Sequence, residues 1–128
     1  MVEKEIIVTE NAPVAIGPYS QAVKSGSLVF ASGQLPMNPS SGKMLESDIE
    51  SETKQALENL KAVLVAAGSS LDKVVKTTVF ITDMSNFAKM NAVYSHYFGE
   101  GSPARSTIQV GALPKGAKVE IEAIAISK

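Results

Sequence analysis

Arg105, Glu120 and Glu122 are the residues of this chain best placed to do chemistry, each on a strand-like run among apolar neighbours. In Lys118-Val119-Glu120-Ile121-Glu122-Ala123-Ile124-Ala125 a period of two puts Glu120 and Glu122 on one face with Ile124 and Ile126. Val119, Ile121, Ala123 and Ala125 take the other face. One face is therefore polar at one end and apolar at the other, as a small polar pocket at the edge of a core requires. Arg105, in Ser102-Pro103-Ala104-Arg105-Ser106-Thr107, offers a planar fork that grips a carboxylate through two parallel hydrogen bonds. An anionic small molecule is the ligand this pattern implies. The competing reading is a surface ion pair for Arg105 and two solvated glutamates, and these strands alone do not choose between them.

Other segments add polar groups. Ile16-Gly17-Pro18-Tyr19 holds an aromatic hydroxyl just after a stiff Gly-Pro turn, which can equally be only a turn. Ser32-Gly33-Gln34 places a hydroxyl and backbone amides at a strand end, a common position for binding groups. His96 is the only histidine and is expected to be half exposed on a helix, so no two-histidine metal site or histidine-pair nuclease can be built. With no cysteine, a disulfide framework, a thiolate metal site and a catalytic thiol are excluded. Neither a phosphate-binding glycine loop nor a serine nucleophile elbow is present. One arginine, one or two glutamates and a few hydroxyls can bind a carboxylate and move a proton, and little more.

The elements that must position these groups follow from periodicity. Ile6–Thr9 reads as a first strand, Gln21–Lys24 and Leu28–Ser32 as a hairpin through Ser25-Gly26-Ser27, with Gly33 ending it. Residues 35–42 form an irregular loop rich in proline and glycine. A helix then begins near Ser47, with Glu50 completing a capping box, and carries the stripe Ala56, Leu57, Leu60, Val63, Leu64, Ala67 before Gly68. Val74–Ile81 is a buried strand. A second helix spans about Asn86 to Phe98, with Ser85 as N-cap and Gly99 as its stop. Its apolar face carries Phe87, Met90, Tyr94 and Phe98, and Asn91 shares that face, so its amide needs partners inside the fold. Arg105–Val110 and Val119–Ser127 are the last strands.

The order β-β-β-α-β-α-β-β is an α+β domain spanning 1–128, with both helices on one face of a sheet. Three strands are apolar on both sides, so the other face needs a cover, and self-association supplies it most economically. A ligand pocket between subunits would follow. Twelve basic against thirteen acidic residues, a formal charge of -1 and no charged run give no footprint for nucleic acid or an anionic membrane. The Met1–Glu5 start has neither a signal core nor an arginine-rich presequence, which makes the cytoplasm the expected address, or the mitochondrion if a presequence has been removed.

Taken together, Ile16-Gly17-Pro18-Tyr19, Ser32-Gly33-Gln34, the Phe87–Phe98 helix with Met90-Asn91 and Tyr94, Pro103-Ala104-Arg105-Ser106 and Val119–Ala125 resemble the YjgF/RidA family of reactive-intermediate deaminases over nearly the whole chain. The resemblance implies a chorismate-mutase-like α+β subunit and a homotrimer with three clefts at subunit boundaries. It implies hydrolysis of 2-imino acids, such as 2-iminobutanoate and 2-iminopropanoate, to 2-keto acids and ammonia, with no cofactor or metal. Arg105 would then clamp the substrate carboxylate and Glu120 would orient or deprotonate water. Tyr19, Ser32 and Asn91 would line or support the pocket, and backbone groups near Gly33 and Thr107 would hold the imine nitrogen. Glu122, nearer Ile124, is the better candidate for a structural partner. Many members carry cysteine where this chain has Thr107, a change that bears on which imine is preferred. Two other activities compete: a ribonuclease or translation inhibitor, and a noncatalytic binder, either a small-metabolite regulator or a chaperone-like protein.

Overall fold

The computed structural model describes residues 3–127; Met1, Val2 and Lys128 lie outside it. Six strands form one sheet: β1 (Lys4–Ile7), β2 (Ala22–Ser25), β3 (Leu28–Gln34), β4 (Val74–Ile81), β5 (Ala104–Gln109) and β6 (Val119–Ile126), in the order β1-β2-β3-β6-β4-β5. Helices α1 (Ile49–Ala66) and α2 (Phe87–Phe98) supply the second layer. All neighbours are antiparallel except β4 and β5, which run parallel and are joined through α2. A parallel pair needs such a crossover, and a short turn cannot make it.

The α+β class and the element order agree with the sequence reading; several boundaries do not. The first strand begins at Lys4, before the Ile6 expected. β3 runs through Gly33 to Gln34 with a shift in register between Ala31 and Gln34. Asp48, not Ser47, caps α1, its carboxylate accepting the Ser51 N–H at 2.8 Å. The hydrogen bond to the cap carboxylate holds Asp48 below its ordinary pKa. Before α2, Asp83 accepts the Ser85 N–H at 2.9 Å and opens a single 3₁₀ turn over Met84–Asn86, so Ser85 does not cap the helix. Gly68 at φ 78° and Gly99 at φ 55° end the two helices, a conformation a side chain would oppose.

The core lies between sheet and helices. Val29, Ala31, Val79, Ile81, Val119, Ile121, Ala123 and Ala125 from the sheet meet Leu57, Leu60, Val63, Leu64, Met90 and Tyr94 from the helices. Each large side chain here contributes roughly 1.5–3 kcal/mol of burial. The opposite sheet face has no cover among the described residues. Register places Leu28 beside Ile126, Phe30 beside Ile124 and Phe80 beside Ile108. Leu28, Phe30, Ile108 and Ile126 are between 37% and 47% exposed, an apolar surface of the kind that marks interaction sites. No helix among the described residues is long and apolar enough to cross a membrane.

Candidate functional site

Arg105 sits on edge strand β5, level with Thr77 of β4, which is level in turn with Ala123 of β6. Laterally paired residues share a face, so Arg105 lies on the helix side. There Asn91 of α2 accepts its Nη1–H at 2.8 Å, and the guanidinium carbon stands 4.7 Å from the Tyr94 ring centre and 5.6 Å from that of Phe87. Tyr94 is fixed from behind by a 2.7 Å hydrogen bond with Thr77 and by contact with Phe98 at 4.6 Å between ring centres. Burial raises the Tyr94 pKa against the opposing pull of Thr77 and Arg105, so the phenol stays neutral. The result is a half-buried cation on an aromatic shelf. Among the described residues it has no carboxylate partner, which removes the surface ion pair as an explanation.

Glu120 belongs to a different surface. It flanks a cavity of about 490 Å³ bordered by Tyr19, Ser32, Gly33, Gln34, Lys115 and Glu122 among others. β6 faces β3 here, and the shifted register at Gly33 lets the Glu120 side chain lie across the glycine. A Cβ on Gly33 would stand 2.7 Å from Cδ and 2.8 Å from Cγ of Glu120, so any side chain there would push the Glu120 side chain aside. Ser32 donates its hydroxyl to the Ser20 carbonyl at 2.6 Å, leaving lone pairs toward the cavity side of the chain. Tyr19 is half exposed, its ring folded to within 3.5 Å of the position a Cβ of Gly17 would take. Glu120 accepts no hydrogen bond among the described residues. Desolvation first and the Glu122 charge second raise its pKa above the ordinary 4.5.

The sequence pattern pointed to one pocket, but the sheet separates its parts. Arg105 and Glu120 are two strands apart, about 9.6 Å sideways, and three positions apart along the strands, about 10 Å, on opposite faces. Tyr19, Ser32, Gly33 and Glu120 are brought together; Asn91 and Thr107 stay on the Arg105 side. The Thr107 hydroxyl oxygen is buried without a partner among the described residues. Glu122 is exposed and borders the cavity, with no hydrogen bond or ion pair among the described residues. His96 is exposed on α2 and outside the Glu120 cavity.

Residues 9–127 match the family model described as endoribonuclease L-PSP. The 2-iminobutanoate/2-iminopropanoate deaminase of Salmonella typhimurium is 50% identical over 125 residues, covering 95% of this chain and 97% of that protein. The chloroplastic Reactive Intermediate Deaminase A of Arabidopsis thaliana is 49% identical, covering 97% of this chain and 66% of that one. The crystal structure of Escherichia coli TdcF with bound serine superposes with a TM-score of 0.92 at 49% identity, over 97% of this chain and 99% of that one. The chain belongs to the YjgF/RidA family.

Within this YjgF/RidA subunit, three buried polar residues went unread in the sequence, and all three brace the cavity walls. Gln21 receives the Thr9 N–H at 2.7 Å and donates to the Thr9 and Pro13 carbonyls at 3.0 and 2.8 Å, pinning the segment that leads to Tyr19. Asn59 of α1 donates to the Leu35 and Met37 carbonyls at 2.9 and 2.8 Å, holding the loop after Gln34. Glu52, 2% exposed, binds Lys118 at the head of β6. For Asn59 and Glu52 the available signal was the interruption of a helix stripe by polar residues, which an amphipathic reading assigns to solvent.

Proposed function

We propose that the protein hydrolyses small 2-imino carboxylates to 2-keto acids and ammonia, in a cleft completed by a neighbouring copy of the chain. The observation that carries this reading is Arg105, a half-buried guanidinium held by an amide and two rings with no counter-charge among the described residues. Such a cation is incomplete until a carboxylate docks against it. Glu120 supplies the complementary group, a carboxylate of raised basicity free to take a proton from water.

In the reaction, water adds to the imine carbon while its proton passes through Glu120 to the imine nitrogen. The hydroxyl proton of the resulting carbinolamine then passes back through Glu120 to the amino nitrogen, the C–N bond breaks, and ammonia leaves as the ketone forms. One water is consumed per ammonia released. An imine carbon is already electrophilic, so orientation and one proton relay suffice. Tyr19, Ser32, Asn91 and backbone groups at Gly33 and Thr107 line or support the cleft.

One copy cannot offer Arg105 and Glu120 to the same few-atom substrate, because they lie on opposite faces. Arg105 is at the sheet margin, within reach of a neighbour's Glu120 face, and stacking the apolar faces covers Leu28, Phe30, Ile108 and Ile126. A homotrimer with three such clefts meets both needs. The family description favours RNA cleavage as a second reading. Against it, the cavity sets Glu120 and Glu122 against Lys115 alone, and a polyanion meets repulsion there.

The test is release of ammonia and keto acid from freshly generated 2-iminopropanoate and 2-iminobutanoate over the uncatalysed rate, with an RNA substrate in parallel. Acceleration of imine hydrolysis is expected and RNA should stay intact. Tight binding of pyruvate without acceleration would replace the enzyme with a metabolite sensor.

A further inference from the structure

Glu52 places a carboxylate where α1 should be apolar. Its Oε1 accepts the Lys118 N–H at 2.9 Å, and its Oε2 accepts the Ser47 N–H and the Lys118 ammonium, each at 3.3 Å. That ammonium also donates to the Ser47 carbonyl at 2.5 Å, and the Lys118 carbonyl accepts the Thr82 N–H at 3.1 Å. The residue that leads into β6 is thus tied to the start of α1 and to the end of β4. Glu120 is two positions further along. Glu52 is 2% exposed but the Lys118 side chain is 44% exposed, and a half-exposed pair of this kind is a weak source of stability, so stability alone does not explain it.

Charge placement does. Lys118 stands one residue before β6 and two before Glu120, about 6.6 Å along an extended chain, within a lysine's reach. Within one subunit the charged and titratable groups that face Glu120 are Glu122 on its own strand, Lys115 from the preceding loop and Tyr19 across the cavity; in the proposed cleft the neighbouring copy's Arg105 faces it as well. β3 presents Ser32, Gly33 and Gln34, and β4 presents Phe80 beside it, none of them charged. Lys76, further along β4, donates to Ser106 at 3.1 Å. A released Lys118 would therefore be a new cation at Glu120.

We propose that Glu52 is a positioning residue for Glu120: it fixes the start of β6 and holds the Lys118 ammonium away from the cavity carboxylate. This rests on Glu120 as the water-handling group. The experiment compares wild type, E52Q, E52Q/K118M and K118M by the pH profile of imine turnover and by carboxyl NMR titration of Glu120. In E52Q the amide still accepts the Lys118 N–H but frees the ammonium, so the Glu120 midpoint and the acid limb of turnover should fall by roughly one pH unit. Turnover at the optimum should drop about threefold, as a weaker base gives a slower proton transfer. In E52Q/K118M the cation is gone and both midpoints should return. Loss of thermal stability in E52Q with no movement of either midpoint would make Glu52 merely structural and overturn the proposal. K118M gives an arm that does not depend on E52Q folding: it should leave the Glu120 midpoint unchanged, and a rise would show that Lys118 already acts there. A titration that moves as expected in a protein without imine turnover would defeat the functional reading while sustaining the role of Glu52.

Discussion

The Arg105 shelf and the Glu120 cavity hold opposite charges in opposite ways. Arg105 is positioned within the subunit and lacks only a counter-charge: Asn91 fixes one side of its fork, the Tyr94 and Phe87 rings lie beside the guanidinium, and Thr77 and Phe98 fix Tyr94 in turn. Glu120 is unfinished. It lies across Gly33 with no hydrogen bond among the described residues, on a sheet face whose apolar side chains have no cover. The difference teaches a division of labour. In the proposed reaction a rigid anchor sets where the substrate carboxylate sits, while the proton-transfer group is kept desolvated and basic until a neighbouring copy closes over it.

Five substitutions can break or sharpen that contrast. Arg105→Ala should have the largest effect, about 4 kcal/mol or near a thousandfold in kcat/KM, as expected for one partner of a buried charge pair. Arg105→Lys should recover little, because a point charge cannot form the two-pronged bond or lie flat on Tyr94. Near wild-type activity for the lysine variant would remove Arg105 from the anchor role. Glu120→Gln should lower turnover about a hundredfold while pyruvate binding persists.

Glu120→Gln also carries a signed stability prediction. Because the folded pKa is raised above 4.5, the native state is favoured with Glu120 protonated, and that stability is lost as pH rises through the folded value. The variant cannot ionise. Its thermal midpoint should match wild type below pH 4.5 and exceed it at neutral pH; the reverse order would mean that the ionised form is the stabilised one.

Much of the anchor was legible in the sequence and much of the cavity was not, for a physical reason. Asn91 interrupts an apolar helix face, and a local rule is enough to demand a partner for it; Arg105 is that partner. The alternation of Glu120 and Glu122 against Val119 and Ile121 is likewise local and correct. What a period of two cannot reveal is strand order. Only the sequence β3-β6-β4-β5 puts Arg105 and Glu120 on opposite faces and brings Gly33 under Glu120. Glu52 was hidden for the same reason, since its partner Lys118 is 66 residues away.

The smaller effects probe each region's support. Gly33→Ala should displace the Glu120 side chain and cut turnover about tenfold, a misplacement effect, while pyruvate binding at Arg105 is retained. If pyruvate binding falls as much as turnover, the two regions are not separable. Asn91→Ala should weaken pyruvate binding by about 1 kcal/mol, roughly fivefold, the scale of one hydrogen bond. Calorimetric titration with pyruvate resolves both.

Subunit complementation decides whether the two regions meet across copies. Arg105→Ala and Glu120→Gln proteins, each nearly inactive alone, are unfolded, mixed in equal amounts and refolded together, and imine turnover is measured beside wild type treated the same way. A site drawing one residue from each of two copies is intact in about a quarter of random pairings, so the mixture should recover about a quarter of wild-type turnover. Mixed assemblies that form, as shown by mass spectrometry, yet stay as inactive as their parents would contradict a shared site.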